Sequence, residues 1–304
     1  MKPLIVDRLK KSYGMKHAVK DISFEVNKQE IFGLIGPDGA GKTTIMRIIV
    51  TLLKMDTGSV LFQSKNITDN IRYVRSNIGY MPQRFSLYQD LTVEQNLNFF
   101  GDLFGVPKDL QDKRKERLYG FSRLEPFRGR RAGALSGGMK QKLALSCMLM
   151  HEPEVIILDE PTFGVDPLSR NELWQILHEL SEKGITILIS TPYMEEAAEC
   201  SKIGLIYEGE MLGINTPQEF VDNFTLPLYL LKTQAPHQTF KRLQQTEYMD
   251  SIQLFGEGVH LVDEYNLGLS RIQDQLSEYH IDDIVPIQPK LEDVFLNLLS
   301  KQRV

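Results

Sequence analysis

A glycine-rich segment near the N-terminus has the residue types and spacing of a phosphate-binding loop. It fits the pattern GxxxxGK[ST] and consists of Gly36, Pro37, Asp38, Gly39, Ala40, Gly41, Lys42, Thr43 and Thr44. An apolar β-rich run, 30–36, precedes it, and a helical pattern, 43–53, follows. Glycines let backbone N–H groups curve around a phosphate, Lys42 can neutralise β/γ oxygens, and Thr43 can ligate Mg²⁺. The segment therefore predicts a nucleotide site.

Two adjacent carboxylates follow an apolar strand pattern much further along the chain. The run 155–158 reads Val-Ile-Ile-Leu, and Asp159 and Glu160 come directly after it. A carboxylate at this place can orient Mg²⁺ and its waters, a role that suits Asp159. Glu160, one residue later, can polarise an attacking water as a general base. Together with the glycine-rich loop, the pair predicts hydrolysis of a nucleotide phosphate.

A second anion-binding surface lies between these two motifs. The run 135–141 reads Leu-Ser-Gly-Gly-Met-Lys-Gln and heads a long helical pattern. A helix N-terminus formed by Ser136, Gly137 and Gly138 offers N–H groups suited to a γ-phosphate. With this run the chain resembles the ABC ATPases, whose signature motif has this sequence and this place in the order of motifs. The resemblance covers about residues 2–222.

The resemblance implies ATP and Mg²⁺ as cofactors and assigns roles to three further residues. Gln83, in the run Gly-Tyr-Met-Pro-Gln, resembles the glutamine that senses Mg²⁺ and the attacking water, so it is a candidate metal ligand and catalytic residue. Asp166, in Phe-Gly-Val-Asp, resembles the aspartate of the D-loop. Tyr13 resembles the aromatic residue that stacks on adenine, for which a flat π-face is suited.

The family also implies partners. Two cassettes would associate head to tail, so that each ATP lies between the Lys42 loop of one chain and the Ser136 motif of the other. Integral membrane permease subunits would dock on a groove near residues 84–93, which are rich in aromatic and apolar types. The pattern is most similar to exporters of the drug and lipid class and to the first half of tandem two-cassette exporter ATPases. The implied location is the cytoplasmic face of the plasma (inner) membrane.

Three residues depart from the family pattern. Pro192 follows Ser-Thr where the family has a histidine that contacts the γ-phosphate, and proline has neither an ionisable group nor an N–H. Asp38 replaces the usual asparagine, and Phe163 replaces a small serine. We expect slow turnover at this chain's own site and a heterodimer with a second cassette. The alternatives are a homodimer that relies on Glu160 and Gln83, a non-hydrolysing regulatory cassette, and a soluble ABC ATPase without a permease.

Composition narrows the class of protein further. The chain has 304 residues and a formal net charge of −5, which disfavours general nucleic-acid binding. Its two cysteines lack the spacing of a zinc site or a disulfide framework, so a reducing compartment is expected. The apolar runs are too short for a signal peptide or a membrane span.

The elements that must position these motifs alternate between strand and helix patterns. This alternation predicts a parallel α/β sheet with 155–158 and 185–189 as central, buried strands. Residues 84–150 are expected to form a helical subdomain. The resemblance implies that this α/β fold is a P-loop NTPase of the ABC type over residues 1–223. Beyond residue 223 the pattern restarts as a small α+β domain, 224–304. Its last helix, from Lys290, is expected to pack on that same domain, with docking on the partner cassette as the alternative.

Overall fold

The computed structural model describes residues 2–83, 87–246, 252–255 and 258–301, and the chain divides into two compact units, Met1–Ile214 and Asn215–Val304. In chain order, the first unit contains β1 (Leu4–Tyr13), β2 (Lys16–Val26), β3 (Ile31–Ile35), α1 (Lys42–Ile49), β4 (Thr57–Phe62), β5 (Lys65–Asn66), α2 (Ile71–Asn77), β6 (Ile78–Met81), α3 (Val93–Leu103), α4 (Lys108–Ser122), α5 (Gly137–Leu149), β7 (Val155–Asp159), α6 (Pro167–Glu182), β8 (Thr186–Thr191), β9 (Lys202–Tyr207) and β10 (Glu210–Asn215).

A six-stranded sheet in the order β10-β9-β3-β8-β7-β6 forms the centre of the first unit. The pairs β3–β8, β3–β9, β6–β7 and β7–β8 are parallel. Every residue of β3, β7 and β8 is buried, as expected for strands covered on both faces. The predicted central strands and the α/β class are confirmed. Because the carboxyl ends of parallel strands share one edge, the residues that follow β3, β7 and β8 come together.

A second sheet has the strand order β2-β1-β4-β5, in which β1 pairs antiparallel with both β2 and β4. This sheet places the N-terminal segment beside the six-stranded sheet. Tyr13, at the end of β1, pairs with Lys16 at the start of β2. The N–H of Lys20 donates to the carbonyl of Gly209, just before β10. The hairpin of β1 and β2 is thus tied to the edge of the central sheet.

Helices α3, α4 and α5 lie between β6 and β7, within the segment 84–150, of which residues 84–86 lie outside the described residues. Asn96 of α3 is fully buried and accepts a hydrogen bond from the N–H of Tyr88 at 3.0 Å. Its amide nitrogen lies 2.9 Å from the carbonyl of Thr92 and 3.3 Å from that of Leu91. Leu91 also accepts from the N–H of Ala132, so Asn96 fixes the loop after Gln83 next to the segment that leads to Ser136.

The second unit is a compact α+β fold. It contains α7 (Pro217–Asp222), β11 (Leu228–Lys232), α8 (Pro236–Leu243), β12 (Ile252–Phe255), β13 (Gly258–Val262), α9 (Leu269–Gln275), β14 (Asp283–Pro286) and α10 (Leu291–Ser300). From β11 to β14 the order is βαββαβ, and the sheet order β12-β13-β11-β14 is that of a ferredoxin-like arrangement. In neither unit does the described part of the chain contain a helix long and apolar enough to cross a bilayer.

The last helix packs on its own unit through a buried side-chain hydrogen bond. Asp293 of α10 is fully buried, and its Oδ1 lies 2.6 Å from Nδ1 of His260 on β13. Its Oδ2 accepts from the N–H of Lys290 at 2.8 Å and so caps the helix. Helix α10 also contacts α7. This contact explains why the units divide before α7, whereas the sequence places the boundary after it, at residue 223.

Replacing Asn96 with alanine removes the side-chain hydrogen bonds that hold the 88–92 loop and takes the acceptor from the N–H of Tyr88. We expect Asn96→Ala to lower the free energy of unfolding by about 2–4 kcal/mol. Urea unfolding followed by the fluorescence of Trp174, the single tryptophan, measures this in the first unit. Asn98→Ala, on the same helix with one partner in Lys115, is the control and should cost less than about 1 kcal/mol. Equal losses in the two variants would contradict this role of Asn96.

Candidate ATP-binding site

The glycine-rich loop runs from the end of β3 to the start of α1, and its shape requires glycine at two positions. A Cβ at Gly36 would lie 2.0 Å from the carbonyl oxygen of Ile206. Gly41 has a φ of +107°, and a Cβ there would lie 2.4 Å from the carbonyl oxygen of Ala18. Gly41 precedes α1, and no side chain caps the helix. The first-turn N–H groups are therefore available to an anion.

Lys42 is folded back over this loop. Its side chain is 3% exposed, and Nζ donates to the carbonyls of Gly36 at 2.7 Å and Pro37 at 3.0 Å. Nζ also lies 3.5 Å from Oε1 of Glu160. Burial lowers the pKa of Lys42, and the charge of Glu160, with a smaller contribution from Asp38, opposes that shift. Lys42 is thus a desolvated cation at the base of the loop, suited to a phosphate oxygen.

Asp159 has one carboxylate oxygen that is paired and one that is not. Its Oδ1 accepts hydrogen bonds from the hydroxyl of Thr43 at 3.0 Å and from the hydroxyl of Ser190 at 2.8 Å. Asp159 is fully buried, yet Oδ2 has no hydrogen-bond partner among the described residues. A buried carboxylate oxygen without a partner is costly. A hydroxyl and a carboxylate are the oxygen ligands that Mg²⁺ prefers, so these residues fit that ion.

Glu160 is held in a fixed orientation by its backbone and by Gln83. Its φ is +51°, and its N–H donates to both the carbonyl and the hydroxyl of Ser190, each at 3.1 Å. The amide of Gln83 donates to Oε2 of Glu160 at 2.8 Å. The structure therefore brings together the predicted residues Thr43, Asp159, Glu160 and Gln83 around Lys42. A left-handed backbone at a non-glycine residue is typical of functional sites.

These residues open onto a cavity of about 200 Å³. It is lined by Tyr13, Lys16, Ala18, Gly39, Gly41, Lys42, Thr43, Thr44 and Glu160. Tyr13 is 50% exposed at its rim. Sequence reasoning missed Lys16 and Ser190. No motif marks Lys16, whereas Ser190 could have been found by aligning the parallel strands β7 and β8, since it lies opposite Asp159.

The predicted signature residues form a second, separate surface. Ser136 caps α5 by accepting from the N–H of Met139 at 3.3 Å, and Asp166 caps α6 by accepting from the N–H of Ser169 at 3.0 Å. Hydrogen bonding from the backbone and side chain of Ser169 lowers the pKa of Asp166. A Cβ at Gly138 would lie 2.3 Å from that of Ser169, so the two helix starts are in contact. None of the signature residues, Ser136, Gly137 and Gly138, nor Asp166, is among the residues that line the Lys42 cavity.

The residues that depart from the family pattern lie around the same loop. Pro192 follows Thr191, whose carbonyl accepts from the N–H of Gly36 at 3.3 Å. No histidine is among the described residues that line the cavity. Phe163 is 55% exposed in the turn after Glu160. The strand end at 190–191 thus contacts the loop and both carboxylates, but Pro192 offers no side-chain donor beyond it.

A parallel sheet with a glycine-rich loop before its first helix, and with carboxylates at the end of a neighbouring strand, defines a P-loop nucleoside triphosphatase. The separate LSGG helix start gives it the form of an ABC cassette. The family model "ABC transporter" matches residues 19–163. Together with the relatives described next, this shows that the chain belongs to the ABC transporter ATP-binding proteins, a family of ATPases, and the resemblance seen in its motifs is confirmed.

The chain is similar to three curated relatives, and the matched region covers a different share of each relative's length. The chain is 40% identical over 292 residues to a probable multidrug ABC transporter ATP-binding protein, YbhF, of Escherichia coli (strain K12), covering 94% of this chain and 50% of that protein. It thus spans about half the length of that relative. It is 33% identical to the Nod factor export ATP-binding protein I of Paraburkholderia xenovorans (strain LB400), covering 97% and 96%. It is 38% identical to the linearmycin resistance ATP-binding protein LnrL of Bacillus subtilis (strain 168), covering 70% and 69%.

Solved structures agree with this fold. An ATP-binding subunit of an ABC transporter matches with a TM-score of 0.65 and 29% identity, covering 73% of this chain and 92% of that one. A dimeric, post-hydrolysis state of the cassette MJ0796 bound to ADP and Pi matches with a TM-score of 0.64 and 25% identity, covering 70% and 98%. Nucleotide binding is therefore a property of the family to which the chain belongs.

The hydroxyl of Ser190 contacts both Asp159 and Glu160, so its removal should lower the stability of the protein. Ser190→Ala takes a donor from Asp159 and an acceptor from the N–H of Glu160. We expect a loss of about 1–3 kcal/mol in the free energy of unfolding. Urea unfolding measures it. Ser181→Ala, whose exposed hydroxyl donates to one carbonyl, should change stability by less than about 1 kcal/mol. A Ser190 variant as stable as the wild type would show that this hydroxyl is dispensable.

Proposed function

We propose that the chain is the ATP-binding subunit of an ABC exporter, which couples binding and hydrolysis of Mg-ATP between two cassettes to transport by membrane permease subunits. The observation that carries the proposal is the close grouping of Lys42, Thr43, Asp159, Glu160 and Gln83 at one edge of the parallel sheet. The relatives named for multidrug transport, linearmycin resistance and Nod factor export support the exporter class.

The contacts of the loop support phosphate binding. Lys42 donates to two loop carbonyls and lies next to Glu160, and a phosphate oxygen would offer it a stronger, charged acceptor. The amides from Gly39 to Thr44 would bind the β- and γ-phosphates at the start of α1. Thr43, Asp159 and Gln83 would hold Mg²⁺, which neutralises charge on the phosphate oxygens when bound.

Hydrolysis would depend on Glu160 as general base. Its carboxylate is fixed at one oxygen by Gln83 and lies near Lys42 at the other. When Lys42 turns to a phosphate, Oε1 of Glu160 is released to accept a proton from water. Gln83 would keep the carboxylate oriented and contact the same water. Burial of Glu160 excludes bulk solvent around that step.

A second cassette would complete the site. The helix start formed by Ser136, Gly137 and Gly138 has an anion-binding character but lies apart from the Lys42 cavity of its own chain. We infer that it serves the ATP of a partner cassette and that Asp166 lies at the same interface. The dimeric form of the solved cassette MJ0796 supports this arrangement.

A groove close to Gln83 is suited to a permease segment. It has a volume of about 260 Å³ and is lined by Val50, Leu52, Val74, Arg75, Ile78, Tyr80, Phe100, Phe104, Met148 and His151. Leu52 and Phe104 are exposed at its edge, and β6, which leads to Gln83, forms one wall. Of the predicted groove segment 84–93, residues 84–86, including Phe85, lie outside the described residues, and none of residues 87–93 lines this groove. Docking there would place the chain at the cytoplasmic face of the plasma membrane.

Pro192 supports an asymmetric pair. Without a side-chain donor after Thr191, this chain's own site would turn over slowly, whereas its intact Ser136 motif would serve a partner whose cassette carries the histidine. The alternative is a homodimer in which Glu160 and Gln83 suffice. Pro192 also favours a non-hydrolysing regulatory cassette, against which the presence of Glu160 argues.

Steady-state ATP turnover by the purified chain, compared with Glu160→Gln, distinguishes these possibilities. For an asymmetric pair we expect the isolated chain to bind ATP but to hydrolyse it no faster than Glu160→Gln. Adding the partner cassette should then raise the rate, with the partner's own base required. Clear turnover that Glu160→Gln abolishes would instead show a working homodimer. An absence of ATP binding by the wild type would contradict the proposed function as a whole.

Tyr13 is proposed to stack on the adenine ring. Tyr13→Ala should weaken ATP binding by about tenfold or more, because base–aromatic stacking contributes about 1–3 kcal/mol. Tyr13→Phe keeps the ring and should bind as the wild type does. Equilibrium dialysis with labelled ATP measures both. If alanine and phenylalanine bind equally well, Tyr13 has no part in adenine binding.

A further inference from the structure

A buried carboxylate that the site does not use lies just after Pro192. Glu196, in the short 3-10 helix Met194–Glu199, is 3% exposed. The hydroxyl of Thr162 donates to its Oε2 at 3.0 Å, and Nε of Arg170 lies 3.5 Å from its Oε1. Buried charges are rarely kept unless they are paired or used. The burial of Glu196 therefore needs a structural or functional explanation.

The partners of Glu196 belong to segments that surround the candidate site. Thr162 lies in the turn after Glu160, where the N–H of Phe163 donates to the carbonyl of Glu160 at 3.1 Å. Arg170 lies in α6, whose first residues are capped by Asp166, and its guanidinium lies 4.7 Å from the centre of the Tyr193 ring. Glu196 thus joins the turn that follows the general base to the loop that contains Pro192.

Glu196 and Arg170 form an ion pair, but no hydrogen bond joins them. Oε1 of Glu196 and Nε of Arg170 are both buried, and neither has a hydrogen-bond partner in the part of the chain that the structure describes. Burial raises the pKa of Glu196, while the hydroxyls of Thr191 and Thr162 and the charge of Arg170 oppose that shift. A buried pair in this geometry is weakly compensated for its desolvation. A small movement of α6 or of the 191–193 loop would complete the missing bond.

We propose that Glu196 is a positioning residue for Glu160, and that its pair with Arg170 closes into a hydrogen bond when ATP binds. The inference rests on the proposed function. Pro192 offers no side-chain donor between β8 and the site, and the contacts of Glu196 with Thr162 and Arg170 add to those of Ser190 with Glu160 in joining the two segments. Closure would orient the turn at 160–163 and, through α6, the capping residue Asp166.

Trp174, the single tryptophan, reports on movement of the helix that carries Arg170. It is buried on α6, four residues after Arg170. We expect Mg-ATP to change Trp174 emission saturably in the wild type. Glu196→Gln should lose most of that change, while its ATP affinity, measured by equilibrium dialysis, stays within about threefold. Any Glu160-dependent turnover should fall between about tenfold and about a hundredfold in kcat, with KM little changed.

Matched variants separate positioning from a general loss of structure. Glu195→Gln alters an exposed carboxylate of the same 3-10 helix and should respond as the wild type does. The double variant Glu196→Gln, Arg170→Met should lose no more than Glu196→Gln alone, because the two groups act as one unit. Thermal unfolding followed by circular dichroism establishes that the variants are folded.

Two results would overturn the inference. The first is a Glu196→Gln variant whose emission change and kcat equal those of the wild type. The second is a wild type that binds ATP with no change in Trp174 emission. A wild type that binds no ATP contradicts the proposed function itself, and dialysis distinguishes this failure from the other two.

Discussion

Two carboxylates, Asp159 and Glu160, are buried side by side at the end of β7, and Lys42 is the buried cation that lies next to Glu160. Burying such groups is costly unless each is paired or hydrogen-bonded. Much of the first unit serves that requirement. The loop after β3 supplies Lys42 and Thr43, and the end of β8 supplies the hydroxyl of Ser190 to both carboxylate residues. The edge of the parallel sheet is thus an electrostatic arrangement in which Oδ2 of Asp159 is still without a partner.

That arrangement explains how binding of a nucleotide can act on the rest of the unit. In the structure, Lys42 satisfies loop carbonyls and contacts Glu160, both of which a phosphate would replace as acceptors. The exchange changes the surroundings of Glu160, which is linked to Gln83 on one side and to the turn at 160–163 on the other. Glu196 joins this turn to the loop after β8. Binding energy at the phosphate loop therefore has a short, contiguous path to α6 and to the segment after Gln83.

The sequence predicts those parts of the site that depend on local spacing. The order Gly41-Lys42-Thr43 implies a helix start that faces an anion, and an apolar run that ends in Asp159 and Glu160 implies a buried strand with carboxylates at its edge. Ser190 and Glu196 could not be found in this way, because their roles depend on the pairing of β7 with β8 and on contacts between distant segments. Lys16 becomes a lining residue only through the pairing of β1 with β2. The boundary of the second unit follows from the contact between α7 and α10, which no local pattern reveals.

The most direct test of this account is the effect of Mg²⁺ on ATP binding, measured by titration calorimetry in wild type and in Asp159→Asn, with and without the metal. If the unpaired oxygen of Asp159 is a cation ligand, Mg²⁺ should strengthen ATP binding to the wild type and do so far less in Asp159→Asn. Binding of metal-free ATP should be retained in the variant, because Lys42 and the loop amides are intact and one negative charge is removed. An equal benefit from Mg²⁺ in both proteins would contradict the central claim that this buried carboxylate organises the site.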